Sequence, residues 1–530
     1  MKIYTFLFLL ALTAMSCSES FLDVAPKDAL SPSTFWKTEQ DVQLALTGCY
    51  NGFESGSGLM YRECGSDNGY NNFPWEGWTN IGNGSVTAAN PGSNYFGYST
   101  IYRCNEFLTS LGEADIPGID LTVYEAQARF IRAYKYYQMV VNHGDVPLIT
   151  VNFDHPDEAK IPRDPKETVI KFIEDELTTI IDILPESYPQ EDFGKATKGA
   201  AQALLMRMKL YYGKYQEALT VAKSIEGYEL HPDYITLFNP DNEQNKEVIM
   251  SVQYTPDLYS LNYTPFLPNG SGGWSSVVPT QQLVDSYEMA NGLTIDEALV
   301  TGDYDPQNPY KDRDPRLRAT IIYPGQMWQG EPYRSVEKDD VNHYQKANNS
   351  SKTGYNFRKY LNYLNDAPDA QYWNSGADIF IFRYAEVLLT IAEAKIELGQ
   401  IDDELYKALD DVRTRAGMPA VDRVKYNTAD QLRMLLQNER RVEFAMEGLR
   451  RDDIIRWEIA PQVMSGIHKG VKEGVVLESQ MVNGDHNVLL DQPQITVETR
   501  TFEAPKNYLL PIPQSAIDKN PNLLPNNTGF

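Results

Sequence analysis

The chain has 530 residues, enough for a large hydrophobic core, and 42% of them are hydrophobic. Its 73 Asp and Glu residues outnumber the 47 Lys and Arg residues, which gives a formal net charge of −26. Because proteins bind nucleic acids by neutralising phosphates with cations, this charge argues against a nucleic-acid partner and also disfavours adhesion to anionic lipid surfaces.

The first residues form a targeting segment. An apolar stretch from Ile3 to Ala14 and a few small residues precede Cys17. The stretch is too short to span a bilayer, so residues 1–16 are predicted to be a signal peptide. A cysteine directly after Ser16 resembles the bacterial lipobox, although Ala14 stands where Leu is more usual. Cys17 is therefore the predicted lipidation site; an ordinary secretory signal with an incidental cysteine is the alternative.

Helical periodicity dominates the rest of the chain. Apolar residues recur at steps of three and four near residues 38–54, 120–142, 165–225 and 380–457, and several of these segments are bounded by Pro or Gly. Thr38 is the predicted N-cap of the first segment. These patterns predict a mostly helical protein.

Two helical segments resemble each other. Ala203–Ile225 and Leu388–Gly417 each contain an apolar helix, a glycine at the turn (Gly213, Gly399) and a second helix with an Ala-Leu pair. This is the pattern of tetratricopeptide helix pairs, in which small residues let neighbouring helices approach closely. Such pairs stack into a scaffold that has no chemistry of its own.

Residues 55–100 and 255–375 have an irregular composition, rich in Gly, Pro, Asn, Asp and Tyr. These regions also contain tryptophans, which disordered segments lack, so we expect them to be ordered functional loops. Short runs such as EVIMSVQY and LRATIIY predict hairpins but no large sheet.

Three cysteines remain in the body of the chain, namely Cys49, Cys64 and Cys104. Because three is an odd number, at most one disulfide can form among them. We expect buried thiols or one incidental bridge, and no metal site.

Several blocks along the chain are similar to one known family. They are CSESFLDVAPKDALSPSTFW from Cys17, ARFIRAYKYYQMVVNHGDVPLI from Ala128, DPRLRATI from Asp314, FRYAEVLLTIAEA from Phe382, NERRVEFAMEGLRRDDIIRW from Asn438 and NYLLPIPQSAIDKNPNLLPNNTGF from Asn507. In this order they resemble the SusD/RagB-like outer-membrane lipoproteins of Bacteroidetes. The similarity spans nearly the whole chain, and the loops at 55–100 and 255–375 are where it is weakest.

The resemblance implies a fold, a location and partners. It implies a single domain over residues 17–530, in which a tetratricopeptide-like helical scaffold packs against a loop-rich irregular half with short hairpins. It also implies a lipid anchor at the outer face of the outer membrane. The family captures glycans and forms a lid over a SusC-like TonB-dependent transporter. It has no enzymatic activity, and we expect no cofactor.

The loop GSDNGYNNFPWEGWTN, residues 65–80, has the composition of a sugar-binding surface. A sugar ring has a face of C–H groups, which an aromatic plane can cover, and a rim of hydroxyls, which polar side chains can bind. Trp75 and Trp78 are the candidate aromatic planes, and Asp67 and Asn68 are the candidate hydroxyl partners. Alternatively, the two tryptophans pin the loop to the helices and the polar pair forms a turn.

The second irregular region adds Trp274, in NGSGGW, and Trp328, in PGQMWQGEPY. Family binding sites often draw on this region as well. Neighbouring glycines would keep the backbone low and leave the indole rings exposed, so both tryptophans are candidate glycan contacts.

Enzyme chemistry finds little support in the sequence. A secreted glycoside hydrolase needs two carboxylates at a fixed separation, and the only acidic residue within an aromatic loop that stands out, Glu76, has no evident partner. The sequence contains no HExxH, GxSxG or GxxxxGK[ST] motif, and we assign no catalytic or metal-binding residues. The two alternatives to a glycan-binding lipoprotein are a secreted glycoside hydrolase and a structural adhesin subunit.

Overall fold

The structure is a computed structural model that describes residues 35–367, 370–471, 473–492 and 494–530. The predicted signal peptide and the predicted lipidation site, Cys17, lie outside these residues. Within them, no helix combines the length and the apolar character needed to cross a bilayer. Cys49, Cys64 and Cys104 are buried free thiols, which is the first of the two predicted alternatives; no disulfide joins any two of them.

The fold is mostly helical, which confirms the predicted fold class. In chain order the helices are α1 (Glu39–Tyr50), α2 (Gly56–Tyr61), α3 (Thr79–Asn83), α4 (Ser99–Glu113), α5 (Thr122–His143), α6 (Lys166–Ile180), α7 (Lys198–Tyr211), α8 (Tyr215–Lys223), α9 (Gln281–Ser286), α10 (Ile295–Thr301), α11 (Pro315–Thr320), α12 (Asn362–Asp366), α13 (Tyr384–Glu397), α14 (Asp403–Arg415), α15 (Ala429–Glu443), α16 (Arg450–Arg456), α17 (Ala460–Met464) and α18 (Gln514–Ile517).

Short polar motifs set where these helices begin. Thr38 caps α1: its hydroxyl accepts from the amide of Asp41 (3.3 Å), and the Asp41 carboxylate accepts in return from the amide of Thr38 (2.9 Å). Thr428 and Gln431 form the same reciprocal arrangement at the start of α15. In each reciprocal pair, called a capping box, the two side chains accept hydrogen bonds from backbone amides that the first helical turn leaves without partners. These sequences therefore fix where the helices start.

The long helices stack in succession to form the scaffold. Helix α5 packs against α4 and α6, helix α7 against α6 and α8, and α13 against α8, α14 and α15. The two predicted repeats are the pairs α7–α8 and α13–α14. Their turn glycines, Gly213 and Gly399, have φ angles of 67° and 69°, a left-handed conformation that favours glycine.

The strands are short and pair in twos. They are β1 (Gly69–Asn71), β2 (Val248–Val252), β3 (Val277–Pro279), β4 (Ile321–Ile322), β5 (Met327–Trp328), β6 (Glu331–Pro332), β7 (Asn356–Phe357), β8 (Ile379–Arg383), β9 (Gly466–Gly470), β10 (Glu473–Val482), β11 (Asp485–Gln492) and β12 (Ile495–Arg500). All pairs are antiparallel: β1–β3, β2–β8, β4–β7, β5–β6, β9–β12 and β10–β11. The described residues thus contain hairpins and two-stranded ladders but no large sheet, as predicted.

A buried network of charged side chains joins the helical scaffold to the loop-rich half. Glu443, at the end of α15, is fully buried and contacts three guanidinium groups. These belong to Arg383 in β8 (2.7 Å), Arg316 in α11 (3.0 Å) and Arg415 in α14. One carboxylate therefore ties together a strand and three helices that are distant in sequence.

The network extends beyond Glu443. Arg383 also contacts Glu247 (2.8 Å) and Glu447 (2.7 Å), and both of these carboxylates are buried. Burial alone would raise the pKa of Glu443, but Arg415, Arg383 and Arg316 outweigh this effect and hold its pKa well below the ordinary value. The carboxylate therefore stays charged, and its cations stay paired.

We expect Glu443→Gln to lower the free energy of unfolding by about 3–5 kcal/mol, because it leaves three buried guanidinium groups short of a counter-charge. Urea unfolding at pH 7 measures the change. The matched control is Glu113→Gln, which alters an exposed carboxylate on α4 and should change stability by less than about 0.5 kcal/mol. Equal urea midpoints for the two variants would contradict the role assigned to Glu443.

Candidate functional site

Two loops of the irregular half are joined where β1 ends and β3 begins. The amide of Asn72 donates to the carbonyl of Ser276 (2.9 Å), and Nδ2 of Asn71 donates to the same oxygen (3.0 Å). Trp75 lies three residues beyond this contact in one chain segment, and Trp274 lies two residues before it in the other. Because β1 and β3 are antiparallel, the chain segments that carry the two tryptophans extend from the same end of this ladder, and we treat them as one candidate surface.

The Glu76 carboxylate holds the two loops together. It accepts hydrogen bonds from the Tyr61 hydroxyl (3.0 Å), the Ser276 hydroxyl (2.9 Å) and Nδ2 of Asn71 (2.6 Å). It therefore fixes the backbone directly beside Trp75. This structural position explains the acidic residue that stood out in the aromatic loop without invoking catalysis.

The Trp75 ring is presented to solvent. It is 79% exposed and stacks on Phe73, with ring centroids 4.9 Å apart and an interplanar angle of 25°. The chain then turns at Gly77, where φ is 86° and a Cβ atom would lie only 2.9 Å from the Ser93 amide nitrogen. The stack and the turn together hold one apolar plane outward at a fixed angle.

The Trp274 ring is 44% exposed, and its backbone is tightly constrained. Its amide donates to the carbonyl of Thr264 (2.8 Å). A Cβ atom on the preceding Gly273 would lie 2.2 Å from the Leu267 carbonyl oxygen, so only glycine fits there. The following residue, Ser275, has a φ of 48°, a left-handed conformation that is rare for serine and that often occurs at functional loops.

A third exposed tryptophan borders the same loops. The Trp373 ring is 53% exposed, and its neighbour Tyr372 accepts a backbone hydrogen bond from Tyr263 (2.8 Å). The Tyr372 hydroxyl lies against Gly272, where a Cβ atom would approach it to 2.5 Å. Trp373 lies in the irregular region 255–375 but is not among the candidate contacts selected from the sequence. We call residues 72–77, 269–276 and 372–373, with the rings of Trp75, Trp274 and Trp373, the aromatic surface.

A lysine that the sequence analysis also missed lies beside the aromatic surface. The Asn72 side chain donates to the Ser350 carbonyl (3.3 Å) and accepts from the Lys352 amide (3.3 Å). The Lys352 ammonium donates to the Tyr344 carbonyl (3.2 Å) and forms no ion pair within the described residues. Burial lowers the pKa of Lys352. The ammonium also donates to the Ala347 carbonyl (3.5 Å), so two backbone carbonyls hold it on the loop that contacts Asn72.

Two of the four tryptophans selected from the sequence are buried, so their predicted exposure is wrong. Trp78 is 6% exposed and packs into the main hydrophobic core against Gly65, because it leads directly into α3. Trp328 is 5% exposed; its Nε1 donates to the Ser271 hydroxyl (2.9 Å), and the Arg358 guanidinium lies 5.6 Å from its ring centroid. Both rings support the loops from beneath.

The candidate hydroxyl partners are buried as well, so the expectation of an exposed polar pair is also wrong. Asp67 is clamped by Arg450, with contacts of 2.8 and 3.0 Å, and by Arg441 at 2.8 Å. Asn68 accepts from Arg441 (2.8 Å) and donates to Glu63 (3.1 Å). The protein itself therefore occupies their polar groups, and two of the charged partners, Arg441 and Arg450, lie far along the chain.

Electrostatics keep Asp67 ionised. Burial alone would raise the pKa of this carboxyl, but the guanidinium groups of Arg441 and Arg450 outweigh burial and hold the pKa well below its ordinary range. The first irregular loop is thereby anchored to α16 through Arg450 and to α15 through Arg441, and α15 also carries Glu443 of the buried charge network.

The described residues form no cluster suited to a metal ion, and two buried histidines are uncharged at neutral pH. Across residues 35–530, omitting the four undescribed positions 368, 369, 472 and 493, no three His, Cys, Asp or Glu side chains come together to hold a metal ion. Burial lowers the pKa values of His143 and His468 to about 4, so both are neutral at pH 7. The absence of a cofactor and of catalytic residues stays a prediction.

Comparison with known proteins identifies relatives along the whole chain. The model described as the SusD family matches residues 236–530, and one described as starch-binding and associating with the outer membrane matches residues 20–210. SusD-like protein P2 of Formosa agariphila is 25% identical over 579 residues, with all of each chain covered. The first family model covers more than half of the present chain.

Solved structures share the fold. A SusD-like carbohydrate-binding protein from Bacteroides fragilis has a TM-score of 0.81 at 30% identity, covering 92% of this chain and 100% of its own. Surface glycan-binding protein A from Bacteroides thetaiotaomicron, solved in complex with laminarihexaose, has a TM-score of 0.64 at 20% identity, covering 91% of this chain and 98% of its own. The second similarity concerns the fold alone.

The Asp67 clamp predicts a specific pH dependence. Because the folded pKa lies below the unfolded value of about 3.9, the ionised carboxyl stabilises the protein above about pH 5, and this contribution is lost as pH falls. Relative to Asp67→Asn, wild type should lose about 1 kcal/mol between pH 4 and pH 3, since the unfolded carboxyl protonates there while the folded one stays ionised. Urea unfolding of both proteins between pH 7 and pH 3 measures the gap. Parallel curves down to pH 3 would contradict the clamp.

Proposed function

The chain belongs to the SusD family, and on this premise we propose that it is a cell-surface lipoprotein that captures oligo- or polysaccharide and delivers it to a SusC-like TonB-dependent transporter. Two similarities support the binding part: one family model is described as starch-binding and associating with the outer membrane, and a protein of the same fold was solved in complex with laminarihexaose. Delivery to a transporter rests on the family resemblance.

The observation that carries the proposal is the aromatic surface. Three indole rings are exposed on loops that hydrogen bonds and tight glycine turns hold in place. Indole faces bury the apolar C–H face of a sugar ring and lose little conformational entropy on binding. Lys352, whose amide contacts the Asn72 side chain, is the proposed partner for sugar hydroxyls.

The shape of this surface suits a polymer. Five cavities in the described part of the chain have volumes of about 290–750 Å³, and none of these five is lined by Trp75, Trp274 or Trp373. The rings instead lie on an open surface. A polysaccharide can cross such a surface without presenting a chain end, whereas a closed pocket would select short ligands.

Pre-arrangement of the rings favours affinity. The Phe73–Trp75 stack, the hydrogen bonds to the Glu76 carboxylate and the Trp274 backbone contacts are already formed in the unliganded protein. Binding then has little loop ordering to offset, and this is a main cost in protein–ligand association. No observation in the structure specifically favours the alternatives, a glycoside hydrolase or an adhesin subunit.

We expect Trp75→Ala and Trp274→Ala each to weaken glycan binding by about tenfold or more. A stacked ring contributes about 1–3 kcal/mol by burial, which corresponds to roughly that factor. Calorimetric titration with the cognate glycan measures the affinity, and thermal melts should shift little because both rings are substantially exposed.

Trp78→Ala and Trp328→Ala are the matched controls, since they remove the same side chain from buried positions. Each should lower the free energy of unfolding by about 3–5 kcal/mol. Unchanged affinity in both exposed-ring variants, or lost affinity only in variants that unfold, would show that the loop tryptophans are structural.

The anchoring and partner proposals are tested together. We expect wild type to incorporate radiolabelled lipid, to fractionate with the outer membrane and to co-purify with a large β-barrel protein in gentle detergent. Cys17→Ala should lose the lipid label and leave the membrane fraction, while Cys64→Ser, which alters a buried thiol, should keep the label. Lipid incorporation by Cys17→Ala would contradict the anchor, and wild type purified without a barrel would contradict the transporter partner.

A further inference from the structure

A recess lined by residues outside the aromatic surface lies beside the scaffold helices α7 and α8. It has a volume of about 750 Å³, within the range of roughly 300–1,000 Å³ that small-ligand sites occupy. Its wall comes from residues 186–198, which run from after α6 into the start of α7, from residues 224–228 after α8, and from residues 244–250 leading into β2. None of these residues belongs to the aromatic surface.

The wall of this recess carries aromatic side chains. Tyr188, Phe193 and Tyr228 line it, and all three are half-buried rather than packed away in the core. The Tyr228 ring lies directly on the first turn of α7, where a Cβ atom on Gly199 would approach its hydroxyl to 2.2 Å. The glycine therefore makes room for the ring to lie against the helix.

The charges of the recess are balanced. Three lysines line it, but each is paired with a carboxylate: Lys195 with Asp192 (2.6 Å), Lys198 with Glu186 (3.2 Å) and Lys246 with Glu229 (2.9 Å). The paired lysines leave no excess positive charge to hold a phosphate or a sulfate. A neutral ligand fits this wall better than an anion.

Several polar groups in the recess have no partner in the described part of the chain. The Tyr188 hydroxyl is shielded from solvent and makes no hydrogen bond there. Gln190, Gln244 and Glu226 also line the recess; their side chains are exposed to solvent and make no hydrogen bonds or ion pairs with described residues. Amide, carboxylate and phenol groups can form hydrogen bonds with sugar hydroxyls. The recess therefore places such polar groups next to its aromatic rings.

We propose that this recess is a second saccharide site, which takes a neutral oligosaccharide or the end of a longer neutral glycan. Only the ligand class rests on the proposed function; the location rests on the recess itself. Tyr188, Phe193 and Tyr228 contact the sugar faces, and Gln190, Gln244 and Glu226 bind hydroxyls. Two separate sites on one protein raise the avidity for a polymer that reaches both.

Native mass spectrometry with laminari-, cello-, malto-, xylo- and mannohexaose counts the bound molecules. We expect wild type to bind two copies of at least one of these neutral hexasaccharides. Tyr188→Ala and Gln244→Ala should bind one copy, with at least tenfold weaker binding at the lost site, while Trp75→Ala/Trp274→Ala should keep the copy held by the recess. Tyr102→Ala, which removes an exposed tyrosine on α4, is the control and should bind two.

Each outcome separates the two claims. A single bound copy that Tyr188→Ala and Gln244→Ala leave unchanged, or two copies that Trp75→Ala/Trp274→Ala abolishes together, overturns the second site and leaves the proposed function standing. Wild type that binds none of the five hexasaccharides counts against both. Because Gln244 is exposed, its variant keeps the test decisive if Tyr188→Ala unfolds.

Discussion

The buried ion pairs that converge on α15 and α16 are the constraint on which the rest of the structure depends. Glu443 holds Arg316, Arg383 and Arg415 at one centre, and Arg441 and Arg450 clamp Asp67 at another. Taking such charges out of water is expensive, so buried pairs add little net stability over apolar residues. Each charge is nevertheless tolerated only opposite its partner. We infer that the network selects one arrangement of loops on the scaffold.

This constraint reaches the aromatic surface through short connections. Asp67 lies two residues before β1, β1 pairs with β3, and the two segments that leave this ladder carry Trp75 and Trp274. The hydrogen bonds to the Glu76 carboxylate and the buried rings of Trp78 and Trp328 hold the same loops in place. A region with little regular structure therefore presents its indole rings rigidly, as a binding surface requires. The helices supply the frame and the loops supply the chemistry.

Local sequence signals predict the scaffold well, because the interactions that specify it are local. The Thr38 cap contacts a residue three positions away, and the turn glycines Gly213 and Gly399 act through their own φ angles. The site is harder to predict. Trp75 and Trp78 are three residues apart in the same loop composition, yet one is exposed and the other buried, because only the second leads into α3. Asp67 looks like a free turn residue until Arg450, 383 positions away, is placed beside it.

A crystal structure of the protein with its cognate glycan, or with the longest oligosaccharide it binds, tests the central claim most directly. The account predicts sugar rings stacked at about 4–5 Å on the outer faces of Trp75 and Trp274, with the loops unchanged from the unliganded structure because the ion-pair network already fixes them. Glycan density that leaves both of these rings bare, or rings that reach the sugar only after their loops rearrange, would contradict it.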